Sequence, residues 1–471
     1  MVFSSVIFLF LFLPAVLLVH CLLPARFRNF FLLVASLFFY AWGEVQYTAV
    51  IAASICINYG FGLFIRAAKE KRASLWRCGF AVAANLALLL WFKYAGFVVE
   101  NANIVLGWLG HAPIVWQKLH LPLGISFFTF QGISYVVDVH RRAVEPQRKF
   151  VDYAMYKALF PQLIAGPIVR YADVAKYIAA RTLSTEQFAS GVRIFIVGLG
   201  KKVLLANPCS AACDAVFALP ANELNGPVAW LGIFLHLLQI AFDFGGYSDM
   251  AVGLGRMLGF EFVQNFNYPY ISKTLSEFWQ RWHISLSTWF RDYLFLSLGG
   301  YRCPKPRAYT NLVTVFVLCG LWHGANWNFL FFGLYHGIFL LAERILDLRR
   351  KKFFKSPAAH VYLIWVLTAA ILFFRAEDIH QTGVFLRAMY GFSIAPAGTH
   401  LLGEFLDPHL LLVSIACIFA STPFIPWLGE KMKSFPITRA AFATIGLLLV
   451  FAACVMKLAA GTHNPFIYFR F

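Results

Sequence analysis

Apolar runs of membrane-crossing length recur from one end of this chain to the other. The first, "VFSSVIFLFLFLPAVLLVHCLLP", contains no Asp, Glu, Lys or Arg. A helix needs about 20 such residues to cross the hydrocarbon core. In lipid, backbone groups must bond within their own segment, so spans of this kind are helical. A β-barrel would show short alternating segments instead. Hydropathy marks spans near 3–23, 29–42, 47–65, 79–97, 120–137, 188–206, 227–244, 311–322, 326–343, 359–374, 408–428 and 437–458. The windows 29–42 and 311–322 are short for a crossing. With 151–167 they read as tilted or re-entrant pieces that surrounding protein must bury. The expected fold class is an all-α polytopic membrane protein, with about 11 transmembrane helices plus re-entrant and interfacial helices. No internal repeat or low-complexity linker divides the 471 residues, so one embedded domain over 1–471 is expected. The lack of a repeat removes support for an inverted-repeat transporter.

Charge is scarce and patterned. Only 13% of residues are charged, against about 25% in soluble domains. The net charge of +18 does not signal nucleic acid, because the basic residues fall in short clusters between apolar spans. That is the positive-inside pattern, with no basic groove of interleaved aromatics. The clusters 66–77, 140–149, 343–355 and 430–433 are therefore expected in the cytoplasm. Residues 207–226 have no Lys or Arg, and 376–407 have one arginine against four acids; both are expected outside. Lys201 and Lys202 fit this scheme badly. The first apolar run has no basic residue before it and Arg26 and Arg28 after it, which suits a retained span rather than a cleaved signal. The nine cysteines are scattered without a CxxC pair, so neither a disulfide framework nor a zinc pattern is read, and no metal is expected.

Against this background, the polar residues between 239 and 336 stand out. Ionisable groups at membrane depth are costly, which makes each a functional candidate. Asp243 and Asp249 sit among aromatics in "QIAFDFGGYSDMAVGLGRMLGF" (239–260). Gly245 and Gly246 between them are expected to break or kink the helix. A bland account also exists: the two acids bond to backbone or to a basic side chain. In "EFWQRWHISLSTWFRDYLF" (277–295), Glu277 and Arg281 are a favourable i, i+4 pair. As one helix, Phe278, Trp282 and Trp289 fall near one face while His283 and Ser287 share another. This is the pattern of an interfacial helix anchored by tryptophan, and that role alone would explain all but His283. In "LCGLWHGANWNFLFFGLYHG" (318–337), His323 follows an apolar run and is flanked by Trp322, Gly320 and Gly324. Asn326 and Asn328 come next, and His336 begins a second "HG". A neutral imidazole suits a general base, although a hydrogen-bonded packing histidine would fit the same pattern. Elsewhere, "FPQLIAGPIVR" (160–170) reads as a Pro- and Gly-broken bend, and "NYPY" (267–270) as a turn.

These stretches resemble the bacterial membrane-bound O-acyltransferases, and their alginate-acetylating branch in particular. The resemblance rests on "FDFGGYSDMAVGLGRMLGF", "PYISKTLSEFWQRWHISLSTWFRDYLFLSLGG", "GLWHGANW" and "FFRAED". It extends through "FYAW", "FKYAGF", "LPLGISFFTFQGISYVVDVHRR", "LIAGPIVR" and the terminal "NPFIYFRF". It implies helices around a tunnel, with the catalytic core near 120–346 and two site histidines. Matched residue by residue, these are His323 and His283 as catalytic residues. Arg281, Trp282, Ser287, Asn326, Asp243, Asp249 and Trp322 are the expected substrate-binding set. No cofactor is expected to stay bound; the donor is acetyl-CoA or another acyl thioester. The expected partners are inner-membrane lipids, a periplasmic SGNH or esterase-like acetyltransferase and a polysaccharide, with no nucleic acid. The implied location is the bacterial inner membrane. His323 then deprotonates the acceptor or only positions groups, and His283 orients the donor or stabilises charge. No phosphate loop of the GxxxxGK[ST] or GxGxxG type is present. A transporter or flippase, or a scaffold of a polysaccharide export complex, are the competing readings.

Overall fold

The computed structural model describes residues 1–117, 119–396, 399–461 and 464–465. From residue 466 onward the terminal "NPFIYFRF" lies outside the described residues. All regular structure among the described residues is helical. Every hydropathy window overlaps helix, although 120–137 is helical only from Ile125 and 408–428 is broken after Ala420. The window 437–458 lies within Pro436–Ala459, and 29–42 within the longer Ala25–Glu44. Among the described residues, four helices are long and apolar enough to cross a membrane: Thr48–Arg66, Lys71–Trp108, Gly226–Met257 and Pro436–Ala459. Pro408–Ala420 and Phe424–Lys431, bent by 66°, make a fifth if they form one span. Phe8–Leu22 and Ala359–Arg375 are apolar but shorter.

The chain divides into two compact units, Met1–Gly191 with Ala251–Val263, and Val192–Met250 with Gln264–Phe471. In the first unit, the Ile125–His140 helix is buried over almost its whole length, including Ser126, Thr129, Gln131 and Ser134. Its neighbours are joined by polar ties. The Asn58 and Asn85 amides exchange hydrogen bonds of 2.9 and 2.8 Å, and Asn29 donates to Asp152 at 2.7 Å. "FPQLIAGPIVR" is helical only over Phe160–Leu163, which matches the expected break.

Every candidate site residue lies in the second unit, where two expectations are corrected. Gly245 and Gly246 do not break their helix, which runs unbroken through Gly226–Met257. Instead, Gly246 meets Gly198 so closely that an added Cβ would stand 2.6 Å from the Gly198 carbonyl oxygen. Glycine here permits helix contact, because intact ladders on both sides hold the backbone helical despite its freedom. The second correction concerns 277–295, which is not one interfacial helix. It comprises Leu275–Arg281, a break, Ile284–Trp289 and a π-helical turn at Phe290–Phe295. Trp279, Trp282 and Trp289 are buried rather than placed at an interface.

Candidate active site

The break at His283 is built from outside its own segment. His283 adopts the left-handed conformation, φ 43°, ψ 55°, which is strained for a side chain bearing a Cβ. Asn265, eighteen residues earlier, supplies the compensation. Its carbonyl accepts the Ile284 amide at 2.9 Å. Its side-chain oxygen accepts Ser285 N–H at 3.1 Å and Ser285 Oγ–H at 2.9 Å, and bonds His283 Nδ1 at 3.1 Å. A backbone amide can only donate, so this Asn265 atom is the acceptor oxygen, and His283 Nδ1 must carry the proton. His283 is thereby fixed as the Nδ1–H tautomer, with the lone pair on Nε2. Phe244 meets its ring edge-on at 4.6 Å.

The preceding helix is capped twice. Thr274 accepts the Glu277 amide at 3.1 Å. Glu343 receives Ser276 N–H at 2.9 Å and the Ser276 hydroxyl at 2.6 Å. Satisfying these otherwise unpaired amides fixes where the helix starts.

His323 ends the Lys305–His323 helix; Gly324 is extended, and Asn326 caps Trp327–Ile345 by accepting the Asn328 amide at 2.9 Å. The two helices form a close hairpin. A Cβ at Gly320 would collide with the Phe329 carbonyl, and one at Gly333 with the Phe316 carbonyl. This contact brings His323 and His336 to one chamber. Their rings flank Phe332, at 5.8 and 4.5 Å between centroids. On the other side, Trp322 lies 6.1 Å from the His283 ring and 5.0 Å from His323. The two expected catalytic histidine rings therefore lie no farther apart than the sum of those distances.

The chamber holding His323 and His336 is narrow and is otherwise lined mainly by aromatic and aliphatic side chains, Trp282 included. A larger and more polar chamber has Ser287, Arg291, Glu343, Arg344 and Asp347 in its wall among apolar side chains. Trp279 lines both. A third hollow includes Lys201, Asp249 and Tyr270.

The predicted residues thus separate into groups. His323 and Trp282 face the apolar chamber, Ser287 the polar one and Asp249 the third hollow. His283 meets Trp322 edge-on, and Trp322 meets His323 edge-on. Three others are engaged in structural ties. Arg281 pairs with Glu277 at 3.0 Å and donates to the Asn267 carbonyl; Asn326 donates to the Glu377 carbonyl; Asp243 pairs with Lys202 at 2.7 Å. Asp249 pairs with Lys201 at 2.7 Å, so the two lysines that disturbed the charge pattern answer the two acids. Asn265, Trp279 and His336 escaped the site prediction. For His336, the second "HG" was a visible signal. For Asn265 and Trp279, nothing in local spacing was.

The membrane-bound O-acyltransferase family profile (MBOAT) matches residues 36–377. A probable alginate O-acetylase of Azotobacter vinelandii is 39% identical over 506 aligned positions, covering 100% of both chains. A peptidoglycan O-acetyltransferase of Helicobacter pylori is 35% identical, over 83% of this chain and 80% of its own. A teichoic acid D-alanyltransferase of Bacillus subtilis is 29% identical over 50% of this chain and 62% of its own.

Proposed function

The chain belongs to the membrane-bound O-acyltransferase family, and from that premise we propose that this acyltransferase carries an acetyl group across the bacterial inner membrane to an extracytoplasmic glycan. The full-length likeness to a protein named for alginate favours an alginate-like polymer. The observation that carries the reading is the pair of chambers sharing Trp279, with His323 in the apolar one.

The donor is acetyl-CoA or an acetylated carrier protein, entering the polar chamber from the cytoplasm. Arg344 in its wall suits the donor's phosphates, whereas Arg291 is tied to Asp292 at 2.7 Å just as Arg281 is tied to Glu277. The acetyl thioester reaches past Trp279 to His323. The acceptor hydroxyl belongs to the glycan or to a periplasmic esterase-like partner that relays the group. Its oxygen attacks the thioester carbonyl carbon while His323 takes its proton. The tetrahedral intermediate expels the thiolate, which receives that proton, and an O-acetyl ester remains. His283, locked by Asn265, orients the donor. General-base help of this type supplies about 10²–10⁴-fold. About 11 crossings around a tunnel, with the shorter helices completing the set, complete the proposed architecture.

The test is His323→Ala in a polymer-producing cell, with protein level followed by blot and acetyl content measured on the extracellular polymer. Acetylation should fall to background at unchanged protein level. Normal acetylation would end the assignment, and loss of the polymer itself would point to transport.

A further inference from the structure

We propose that His336 is a third histidine of the reaction centre, donating a hydrogen bond from Nε2–H to the thioester carbonyl oxygen as it becomes an oxyanion. The proposal rests on the acyl-transfer reading given above and adds a residue to it.

The indole N–H of Trp279 points at His336 Nδ1, 3.4 Å away. An indole nitrogen can only donate, so Nδ1 must accept and carries no proton. A neutral imidazole then holds its single hydrogen on Nε2. His336 is therefore set in the tautomer opposite to that of His283, and each tautomer is dictated by a neighbour whose hydrogen-bonding role is unambiguous. His336 is 2% exposed and lines the chamber that His323 lines. The chamber's Tyr270 hydroxyl is already engaged, donating to the Leu237 carbonyl at 2.6 Å.

Acyl transfer requires a base for the attacking hydroxyl and a donor for the oxygen that gains charge. With His323 as the base, a histidine held as Nε2–H is the complementary group. As the new C–O bond forms, the carbonyl π electrons move onto oxygen, which accepts from His336 without taking its proton. The carbonyl re-forms as the C–S bond breaks, and the thiolate receives the proton held by His323. His336 ends the cycle in its starting tautomer, still held by Trp279. Trp279 acts through His336 and is a positioning residue.

The test uses the full-length chain in nanodiscs with acetyl-CoA as probe, followed in parallel by acetyl content of polymer in cells. His336→Leu removes the donor and should lower kcat by about 10²–10³-fold, the usual effect of losing an oxyanion donor. His336→Gln restores an N–H and should recover most of it. Trp279→Phe keeps a ring but frees the tautomer, and should lower kcat with little change in KM. His336→Gln should also keep the pH–rate limb that depends on His323, because His336 transfers no proton. Equal defects in His336→Leu and His336→Gln, matched to falling protein level or melting temperature, would make the residue structural and overturn the proposal. So would normal turnover in His336→Leu. Should His336→Leu fold poorly, the Gln and Trp279→Phe variants still decide: loss of the pH limb in His336→Gln, or full activity in Trp279→Phe, overturns it. An active His323→Ala measured alongside would instead overturn the acyl-transfer reading itself.

Discussion

Lys202 and Asp243 face each other across 2.7 Å, with side chains only 3% and 2% exposed. Lys202 Nζ also donates to the Pro465 carbonyl. A buried pair need not stabilise relative to apolar residues of the same size, yet removing one partner strands a charge. Lys202→Met should therefore cost about 3–5 kcal/mol, read as a fall in thermal unfolding temperature and yield in detergent. Lys202→Met with Asp243→Leu should recover most of that loss. Activity in the double variant separates two roles for Asp243: retained transfer fits a structural ion pair, whereas stable but inactive protein would return Asp243 to the substrate site. A single Lys202→Met as stable as the parent would remove the buried-pair account altogether. Asp243 and Lys202 were both conspicuous in the sequence, one as a candidate ligand and the other as a misplaced charge. They lie 41 positions apart. Only the fold shows that each answers the other.

At the scale of the element, the His323 hairpin depends on backbone contact. Glycine to alanine inside a helix normally gains about 0.5–1 kcal/mol. Gly333 should reverse that sign, because its Cβ would meet the Phe316 carbonyl of the facing helix. Gly446, in Pro436–Ala459, has nothing within 4 Å of its added Cβ and serves as the control. Melting temperatures should fall for Gly333→Ala and hold or rise for Gly446→Ala; equal responses would contradict the close-contact account. Acyl transfer should drop with Gly333→Ala as well, since separating the helices moves His323 relative to His336. The same contrast explains what the sequence made legible. Apolar windows located the helices because length and hydropathy are local properties. The break at His283 was hidden because helical periodicity registers side-chain type, whereas the left-handed residue is imposed by Asn265. Gly245–Gly246 looked like a breaker because propensity says nothing of the helix that packs against it. Of the site, His323 and His283 were legible through their motifs. Trp279 has the sequence context of a membrane anchor, and only the fold shows that its indole faces His336.

At the scale of the whole chain, the charge pattern and the contacts of the second unit point the same way. The two segments poor in Lys and Arg, 207–226 and 376–407, meet each other. Gln381 donates to the Phe217 carbonyl at 3.0 Å and Asn225 donates to the His400 carbonyl at 2.8 Å, while Arg375, just before the second segment, pairs with Asp214 at 2.7 Å. The basic segment 343–355 instead meets 272–277: Lys273 Nζ donates to the Lys355 carbonyl at 2.9 Å, and Glu343 caps the helix at Leu275. Between these two ends runs Ala359–Arg375, a helix of about 25 Å at 1.5 Å per residue. Arg344 and Asp347 tie the polar chamber to the basic end. Basic loops stay in the cytoplasm, so the donor chamber should open there and the Arg375 end should face outward. Truncations fused to reporters test this directly. Green fluorescent protein after Lys355 should fluoresce, and alkaline phosphatase after Ser393 should be active, with the exchanged fusions silent. The reverse pattern would place the polar chamber on the outer face. A cytoplasmic thioester could not then enter beside Arg344, and the proposed direction of transfer would have to be abandoned even with His323 confirmed as the base.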